Sequence, residues 1–262
     1  MNDAAVRQRQ QSEWLIQWKE FEDDASFLFA GWIYPATLDD FGGKTVLDAG
    51  CGGGQHLAQI AVHARKVVGV DLNTAEIARQ RTARFQNVTV LEADIAEMDL
   101  GEQFDVVLSI GVIHHTDDPD KTVRNLKRHI KPGGKLILWV YAEEGNFLVR
   151  ALLEPLKRSF LLRLPKPIVR LLAEVLTVTI SLPVYSIYLL PLPSLPFYEY
   201  FQNWRRLSFR RNVLNVFDKL NAPQTAFIPR EQVQRWMSPY EFREVHISCY
   251  QGISWRASGT KI

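Results

Sequence analysis

The feature that most constrains the fold is a short apolar run that ends in a carboxylate and a cluster of glycines, VLDAGCGGG at residues 46–54. Glycines are needed where a chain turns sharply and its backbone approaches a ligand closely, because a Cβ atom would obstruct that approach. A helical stretch, Gln55–His63, follows the glycines. The run therefore predicts a strand, a tight turn and a helix, with a binding site at the turn.

The same alternation of apolar runs and helical stretches continues through residues 44–141. This pattern is typical of parallel strands joined by right-handed helical crossovers. The runs are rich in Val, Leu and Ile on both faces, as expected of a sheet that helices cover on both sides. The predicted strands are Thr45–Asp48, Lys66–Asp71, Val88–Glu92, Phe104–Ile110 and Lys135–Tyr141.

Later in the chain the alternation breaks and then returns. It is interrupted at residues 146–211 and resumes with a helix near Arg230–Met237 and strands near Phe242–Cys249 and Gly252–Ser258. The fold class predicted is α/β, a doubly wound sheet that is mostly parallel with one antiparallel strand near the C-terminus. An N-terminal helical segment and a helical, apolar insertion after the fifth strand are added to this sheet.

Local signals mark the ends of the helices. Asn73, followed by Glu76 three residues later, predicts a capped helix start, and the run Asp117–Pro119 predicts another. The turn-forming run Pro132–Gly134 is expected to end that second helix before the fifth strand.

These motifs resemble those of class I S-adenosylmethionine-dependent methyltransferases, strongly over residues 44–141 and more loosely over residues 223–261. VLDAGCGGG looks like the first motif of that family, and VVGVD, ending at Asp71, is similar to the motif whose carboxylate binds both ribose hydroxyls. LEADI resembles the third motif, which would put Asp94 at the adenine amino group and Ile95 beside the ring.

The resemblance extends to the fourth and fifth strands. FDVVLSIGVIHH resembles the fourth motif, with Ser109 and Gly111 near the methionyl part, and PGGKLIL resembles the turn and strand that follow. A Rossmann-like core is implied, with S-adenosyl-L-methionine as cofactor, S-adenosyl-L-homocysteine as product and no metal. The cofactor-binding residues implied are Asp48, Gly50, Cys51, Gly52, Gly54, Asp71, Leu72, Asp94, Ile95, Ser109 and Gly111.

The three aspartates of this set are regularly spaced. Asp48, Asp71 and Asp94 are each 23 residues from the next, about one strand-helix-strand unit, and should line up along the carboxyl edge of the sheet. A ribose diol and an exocyclic amine both favour a carboxylate partner. A carboxylate at the end of the first strand also suits a cationic amino-acid ligand better than a diphosphate.

Three side chains near the expected methyl acceptor are candidates for catalysis: His114 and His115 after the fourth strand, and Tyr141 at the end of the fifth. A histidine there could take a proton from a hydroxyl or an amine; packing against the adenosine is the alternative. Methyl transfer depends mostly on alignment of acceptor, carbon and sulfur, so no nucleophile of the enzyme is expected. Enzymes that resemble this chain use an Asn/Asp-Pro-Pro-Tyr motif after strand four for planar amide and adenine nitrogens; its absence here implies a different acceptor.

Net charge and cysteine content limit the partners. A net charge of +2 creates no field over the whole molecule that would attract nucleic acid, so no nucleic-acid partner is expected. Two cysteines, Cys51 and Cys249, are too few for a disulfide framework, which fits a cytoplasmic protein.

The insertion combines positive charge with apolar bulk. Ten Lys and Arg against three Glu between residues 150 and 211 give a net charge of +7, around a long apolar stretch that lacks Lys and Arg. A membrane span is not expected, because the chain returns to complete the sheet. Two interpretations remain for residues 146–211: an apolar lid or homodimer interface, or a hairpin in peripheral contact with the inner face of a membrane.

The function predicted is methyl transfer to a small-molecule acceptor that is hydrophobic, lipid-like or natural-product-like. A sugar or glycoconjugate acceptor is the alternative, because Gln10, Trp14, Trp18, Gly259 and Lys261 loosely resemble a pattern found beside sugar pathways. An accessory protein that binds the cofactor without turnover, and a nucleic-acid or protein methyltransferase, are further alternatives.

The sequence divides into four predicted segments. They are an N-terminal helical cap (1–43), the cofactor-binding core (44–145), the insertion (146–211) and the C-terminal completion of the fold (212–262).

Overall fold

The computed structural model describes residues 26–222 and 224–262. They form two compact units. The first takes in the described residues up to Glu143 together with Ala226–Tyr250 and Ser254–Ile262, and the second takes in those of Glu144–Thr225 and Gln251–Ile253.

Within the described residues, the first unit is built on a seven-stranded sheet. Its strands are β1 (Thr45–Ala49), β2 (Lys66–Asp71), β3 (Val88–Glu92), β4 (Phe104–Ile110), β5 (Ile130–Tyr141), β6 (Phe242–Tyr250) and β7 (Ser254–Lys261). Their order is β3-β2-β1-β4-β5-β7-β6. Strands β1 to β5 pair in parallel, and β7 runs antiparallel to both β5 and β6. The predicted doubly wound sheet with one antiparallel strand near the C-terminus is confirmed.

The described helices are distributed over both units. They are α1 (Ser26–Ile33), α2 (Gln55–Ala61), α3 (Ala75–Thr82), α4 (Pro119–Arg128), α5 (Glu154–Ser159), α6 (Lys166–Val184), α7 (Tyr198–Trp204), α8 (Phe209–Asn221) and α9 (Arg230–Trp236). Helices α5 to α8 belong to the second unit and the others to the first.

Helices bury both faces of the central part of the sheet. Successive residues of a strand point to opposite faces, so neighbouring residues report on the two sides. In β1, Val46 and Leu47 are both fully buried and belong to different apolar clusters, one on each face. Helices α4 and α9 cover the Leu47 face, and helices α1, α2 and α3 cover the Val46 face. This double coverage explains why the strands are continuous apolar runs in the sequence.

Most strand boundaries agree with the sequence, and the exceptions have local causes. The last strand begins at Ser254 rather than Gly252, because Gln251 and Gly252 have positive φ angles and form a turn. Strand β5 begins at Ile130 rather than Lys135. The run Pro132–Gly134, expected to separate helix from strand, lies inside β5, where the register of its pairing with β4 shifts.

The start of α3 differs from the expected cap. Its N-cap residue is Thr74 rather than Asn73, and no side-chain bond from Thr74 caps the helix. The carboxylate of Asp71 accepts the free amide hydrogens at this end instead, from Asn73 N and Thr74 N at 3.0 Å each. Helix α2 is also shorter than expected and ends at Ala61 rather than His63.

The first 25 residues, with Trp14, Trp18 and Gln10, lie outside the described residues, so the expected N-terminal cap is only partly visible. Its described part, α1, packs on the Val46 face of the sheet through Phe29 and Ile33.

The second unit has a helical core of its own. Helix α6 packs against α8, and the ammonium group of Lys166 at the start of α6 donates to Asn221 Oδ1 at the end of α8, so the two helices run antiparallel. The sequence predicts that residues 212–262 complete the fold at its C-terminal end. In the structure α8 buries Val213, Val216 and Phe217 in the second unit, and the first unit resumes at Ala226.

Helix α4 begins with a side-chain cap. The side chain of Asp118 accepts from Lys121 N at 2.9 Å, and Pro119 occupies the first turn, as the sequence predicts. We expect Asp118→Ala to lower the free energy of unfolding by about 1 kcal/mol, because the Lys121 amide loses its partner. Urea unfolding followed by circular dichroism measures the change.

Asp118→Asn is the matched control for this prediction, since an asparagine keeps a capping oxygen. It should unfold within a few tenths of a kcal/mol of the wild-type protein, on the order of the scatter between good caps. Equal losses in both variants would show that the charge of Asp118, and not its cap, stabilises the helix.

Candidate functional site

A cavity of about 730 Å³ opens in the first unit at the carboxyl ends of β1 to β4. This is the edge where ligands of doubly wound sheets bind. Its wall comes from the turn after β1, the loops after β2, β3 and β4, and the first turns of α2 and α4. The residues that line it are Gly50, Cys51, Gly52, Gln55, His56, Asp71, Leu72, Asn73, Ala93, Asp94, Ile95, Ala96, Glu97, Ile110, Gly111, Val112, His115, Thr116, Asp117, Asp118 and Lys121.

The glycine turn after β1 forms the floor of the cavity. Gly50 and Gly52 both have positive φ angles, +85° and +53°, which glycine adopts without strain. A Cβ on Gly50 would lie 2.4 Å from the side chain of Val112, so no other residue fits there. Gly54 does not line the cavity; a Cβ on it would lie 3.0 Å from the Ala78 backbone, so its role is to let α2 pack against α3.

Asp71 connects this turn to α3. Its Oδ2 accepts from Gly52 N at 3.0 Å, and its Oδ1 accepts from Asn73 N, Thr74 N and the Thr74 hydroxyl at 2.8 to 3.0 Å. A carboxylate can accept about four hydrogen bonds, two at each oxygen. Oδ2, with one donor, keeps capacity for a ligand hydroxyl at the cavity wall.

Asp48 lies behind the turn and not in the cavity wall. It is 1% exposed, and its Oδ2 has no hydrogen-bond partner in the described part of the chain. Burial, and then the nearby charge of Asp71, raise its pKa to about 7. A positive charge near the turn would therefore stabilise the ionised form of Asp48.

Two further residues of the expected cofactor set, Ser109 and Cys51, are buried. The Ser109 hydroxyl is fully buried and donates to Ala49 O at 2.7 Å, which links β4 to β1 and leaves it outside the cavity wall. Cys51 lines the cavity, but burial, and then Asp48 and Asp71, raise the pKa of its thiol well above the usual value. That thiol is protonated at neutral pH and is not a nucleophile.

The remaining expected cofactor residues do reach the cavity. Leu72, Asp94, Ile95 and Gly111 all line it. Asp94 is exposed, with Oδ1 accepting from Ala96 N at 2.8 Å, so its second oxygen is available to a ligand.

The three catalytic candidates are separated by the structure. Of His114, His115 and Tyr141, only His115 lines the cavity. His114 is fully buried and stacks on Tyr141 with ring centroids 4.1 Å apart. Burial, and then His115, lower the pKa of His114 well below its usual value, so it is neutral. Its Nε2 has no hydrogen-bond partner within the described ranges.

Several lining residues carry no sequence signal of their own. Lys121 forms an ion pair with Glu97 that joins the loop after β3 to the first turn of α4. His56, on α2, stacks on Phe29 of α1 with ring centroids 4.5 Å apart. Only the folded positions of the loops bring these groups to the cavity; the cap at Asp118 predicts the backbone amide partner of Lys121 but not the place of its side chain.

Charge is unevenly distributed in this wall. Among the described residues that line the cavity are five carboxylates and a single lysine, which is already paired with Glu97. The carboxylates are Asp71, Asp94, Glu97, Asp117 and Asp118.

Comparison with known proteins agrees with this arrangement. Residues 47–138 match a family model described as a methyltransferase domain. A tRNA U34 carboxymethyltransferase of Klebsiella pneumoniae is 35% identical over 115 residues, which cover 42% of this chain and 34% of that protein. A ubiquinone biosynthesis O-methyltransferase of Pseudomonas syringae pv. tomato is 32% identical over 131 residues, which cover 47% and 55%. The matches span about a third and about half of the two relatives.

Among solved structures, the N-methyltransferase NodS from Bradyrhizobium japonicum WM9, in complex with S-adenosyl-L-homocysteine, aligns with a TM-score of 0.52. The alignment covers 93% of this chain and 91% of that chain at 13% identity, which is a likeness of fold. The fold, the motifs at the cavity and the family model agree on the class: residues 47–138 carry a methyltransferase domain, in a chain with the fold of class I S-adenosylmethionine-dependent methyltransferases. Its cofactor is S-adenosylmethionine.

The residues at the cavity fit this cofactor. A cationic amino-acid group would compensate the buried, unpartnered oxygen of Asp48 behind the turn. A ribose diol matches the remaining capacity of Asp71, and an exocyclic amine matches Asp94. The backbone at Gly50 and Gly52 allows a ligand to approach closely because no Cβ intervenes.

Asp71 is expected to dominate the affinity for the cofactor. Asp71→Ala should weaken binding of S-adenosylhomocysteine by about 2–4 kcal/mol, because it removes charge-assisted hydrogen bonds to the ligand and the bond that holds the glycine turn. Isothermal titration calorimetry measures the change. Asp99→Ala removes a carboxylate that accepts from Gly101 N outside the cavity wall, and it should bind like the wild-type protein.

A 2′-deoxy analogue of S-adenosylhomocysteine separates the two roles of Asp71. If the carboxylate binds the ribose, the wild-type protein should lose affinity for the analogue and Asp71→Ala should lose little more. Equal affinity of the wild-type protein for both ligands would assign Asp71 to the turn alone.

Cofactor binding should also release a proton from Asp48. With a pKa of about 7, Asp48 is largely protonated below that pH. A bound cation favours the carboxylate, so up to one proton should be released near pH 6 and little at about pH 8.5, where Asp48 is already ionised. Calorimetry in buffers of different ionisation enthalpy counts the protons. Release that persists in Asp48→Asn would assign the proton to another group.

Proposed function

We propose that this chain transfers the methyl group of S-adenosylmethionine to a small-molecule acceptor with apolar bulk. The observation that carries the proposal is the charge of the cavity wall, five carboxylates and one paired lysine. Such a wall favours a cationic cofactor and disfavours a polyanionic acceptor such as RNA, because phosphates would be repelled at the site of transfer.

The chain contributes mainly alignment to this reaction. When bound, S-adenosylmethionine supplies a methyl group on a positively charged sulfur, which is already an activated leaving group. The protein then has to hold the reacting atoms in line and keep them in place. In this proposal Asp71 and Asp94 orient the nucleoside, and the rigid turn at Gly50 and Gly52 fixes the depth at which it lies.

His115 is proposed to accept the proton of a hydroxyl or amine acceptor. It is the residue of the three catalytic candidates that lines the cavity, beside a ring that is held neutral by burial. His114 is neutral and stacks on Tyr141, and its ring centroid lies 4.2 Å from that of His115. This contact holds the His115 ring in position at the cavity. His114 and Tyr141 are thus assigned positioning roles.

The apolar character of the acceptor has separate support. The relative from Pseudomonas syringae is named for ubiquinone biosynthesis. In the second unit, residues 147–209 expose many large apolar side chains. We assign the choice of acceptor to this unit. We also propose that the enzyme is cytoplasmic, because a chain with two cysteines suits a reducing compartment.

The test supplies S-adenosylmethionine with a tritiated methyl group and three acceptor pools: a solvent-extracted lipid and quinone fraction, water-soluble metabolites and total tRNA. We expect label in the solvent-extracted fraction with the wild-type protein and none with Asp71→Ala. Label in tRNA would contradict the proposal, and cofactor binding without transfer to any pool would indicate a binding protein.

Once a labelled product is found, His115 is tested by substitution. His115→Ala should lower kcat about 10²- to 10⁴-fold with little change in cofactor affinity, as for loss of a general base. The control His63→Ala replaces an exposed histidine outside the cavity wall. A kcat for His115→Ala equal to that of the control would show that methyl transfer proceeds by alignment alone.

A further inference from the structure

Helix α6 carries apolar residues on two opposite faces. Val169, Ala173, Thr177 and Val184, spaced close to four residues apart, are buried in the core that α6 shares with α8. A second stripe is exposed on the other side. It consists of Ile168, Leu171, Val175, Val178 and Leu182, which are 45–69% exposed. The spacing of three and four residues keeps this second stripe on one face of the helix.

Many more large apolar side chains are exposed in the same part of the chain. Of the 24 large apolar residues exposed in the described chain, 17 lie between Phe147 and Phe209. Others follow α6 directly, at Tyr185, Ile187 and Leu189, and a row at Leu152, Leu156 and Phe160 precedes it. Soluble monomers rarely expose large apolar patches unless these contact a partner or a membrane, and so many exposed apolar side chains in one segment call for such a contact.

Positive charge lies at both ends of the stripe. Arg163 and Arg170 are exposed at the start of α6. Because α8 runs antiparallel to α6, the start of α8 lies near the end of α6, and the exposed Arg206 and Arg210 lie there. Between them, residues 171–204 contain no Lys or Arg.

The two units differ in net charge. The second unit holds 11 Lys and Arg against five Asp and Glu, a net charge of +6, which leaves −4 for the rest of the chain. The charge that could meet an anionic surface is therefore concentrated where the apolar residues are exposed.

The packing of α6 favours a position on a bilayer over a position across it. By length and composition α6 could cross a membrane, with 22% of its apolar window buried in the structure. Its inner face, however, is bound to α8, which carries Arg210, Arg211 and Asp218 and would be costly to place in hydrocarbon. A helix with one face packed and the other apolar and flanked by arginines suits the interface.

We propose that the second unit docks on a membrane surface rich in anionic phospholipid, with the exposed stripe of α6 in the headgroup and upper acyl region. Charge complementarity selects this occupant. A second copy would bring a unit of charge +6 against another, which is repulsive, whereas anionic headgroups attract the arginines and the acyl region covers the stripe. This docking does not depend on the proposed function.

Flotation of the full chain with vesicles provides the test. Vesicles of phosphatidylcholine with about a third phosphatidylglycerol should retain the protein, and pure phosphatidylcholine should retain much less. Because each basic residue near an anionic surface contributes about 1 kcal/mol, Arg206→Gln and Arg210→Gln should each weaken retention about fivefold. High salt should weaken it further.

The apolar contribution is tested with a double variant, Leu171→Ser with Leu182→Ser. Both side chains are exposed, so the fold should survive, and retention should fall at least tenfold. The matched control, Val62→Ser with Tyr240→Ser, replaces exposed apolar residues of the first unit and should be retained like the wild-type protein. Unchanged binding of S-adenosylhomocysteine in each variant shows that the first unit is intact.

Three results would overturn the proposal. Retention that is equal on neutral and anionic vesicles would remove the role of charge. A double variant retained like the wild-type protein would remove the role of the stripe. Sedimentation of the lipid-free chain as a dimer that the double variant abolishes would identify a second copy as the occupant.

Discussion

The hydrogen bonds of one carboxylate, Asp71, organise the cofactor side of the first unit. They connect the glycine turn to α3, and so fix the floor of the cavity against its side wall. The same group stands close enough to the buried Asp48 to raise its pKa. Two neighbouring carboxylates, one of them with an unpartnered oxygen, repel each other in a buried site. A bound cation lowers this electrostatic cost, so the site suits a positively charged cofactor.

The two units divide opposite charges between them. Carboxylates dominate the cavity wall of the first unit, whereas the second unit has a net charge of +6. A net charge near zero for the chain conceals this separation, so the overall value of +2 is a poor guide to its partners. The physical consequence is local: each surface attracts the class of ligand whose charge complements it, and repels the class that the other attracts.

The sequence predicts the sheet well because every strand of its centre is buried on both faces and therefore reads as an apolar run. It also identifies the residues whose backbone or carboxylate meets the cavity, such as Gly50, Asp71 and Asp94. It fails where only the direction of a side chain matters. The motif resemblance implies that Ser109 lies near the cofactor, yet its hydroxyl donates to Ala49 O. His114 turns into the interior, while its neighbour His115 reaches the cavity. Position along a strand limits such directions without determining them.

Helix α6 shows the same limit at a larger scale. From the sequence alone, its segment fits a lid, a dimer interface or a peripheral hairpin, and the apolar length of the helix would also suffice for a span. What distinguishes them is the register of its apolar residues, since those at positions 169, 173 and 184 are buried in the core shared with α8, while those at 168, 171 and 175 are exposed. A span must satisfy all of its faces with lipid or with apolar partners, and the polar side chains of α8 prevent this. An interfacial helix needs one apolar face and basic neighbours, and α6 has both.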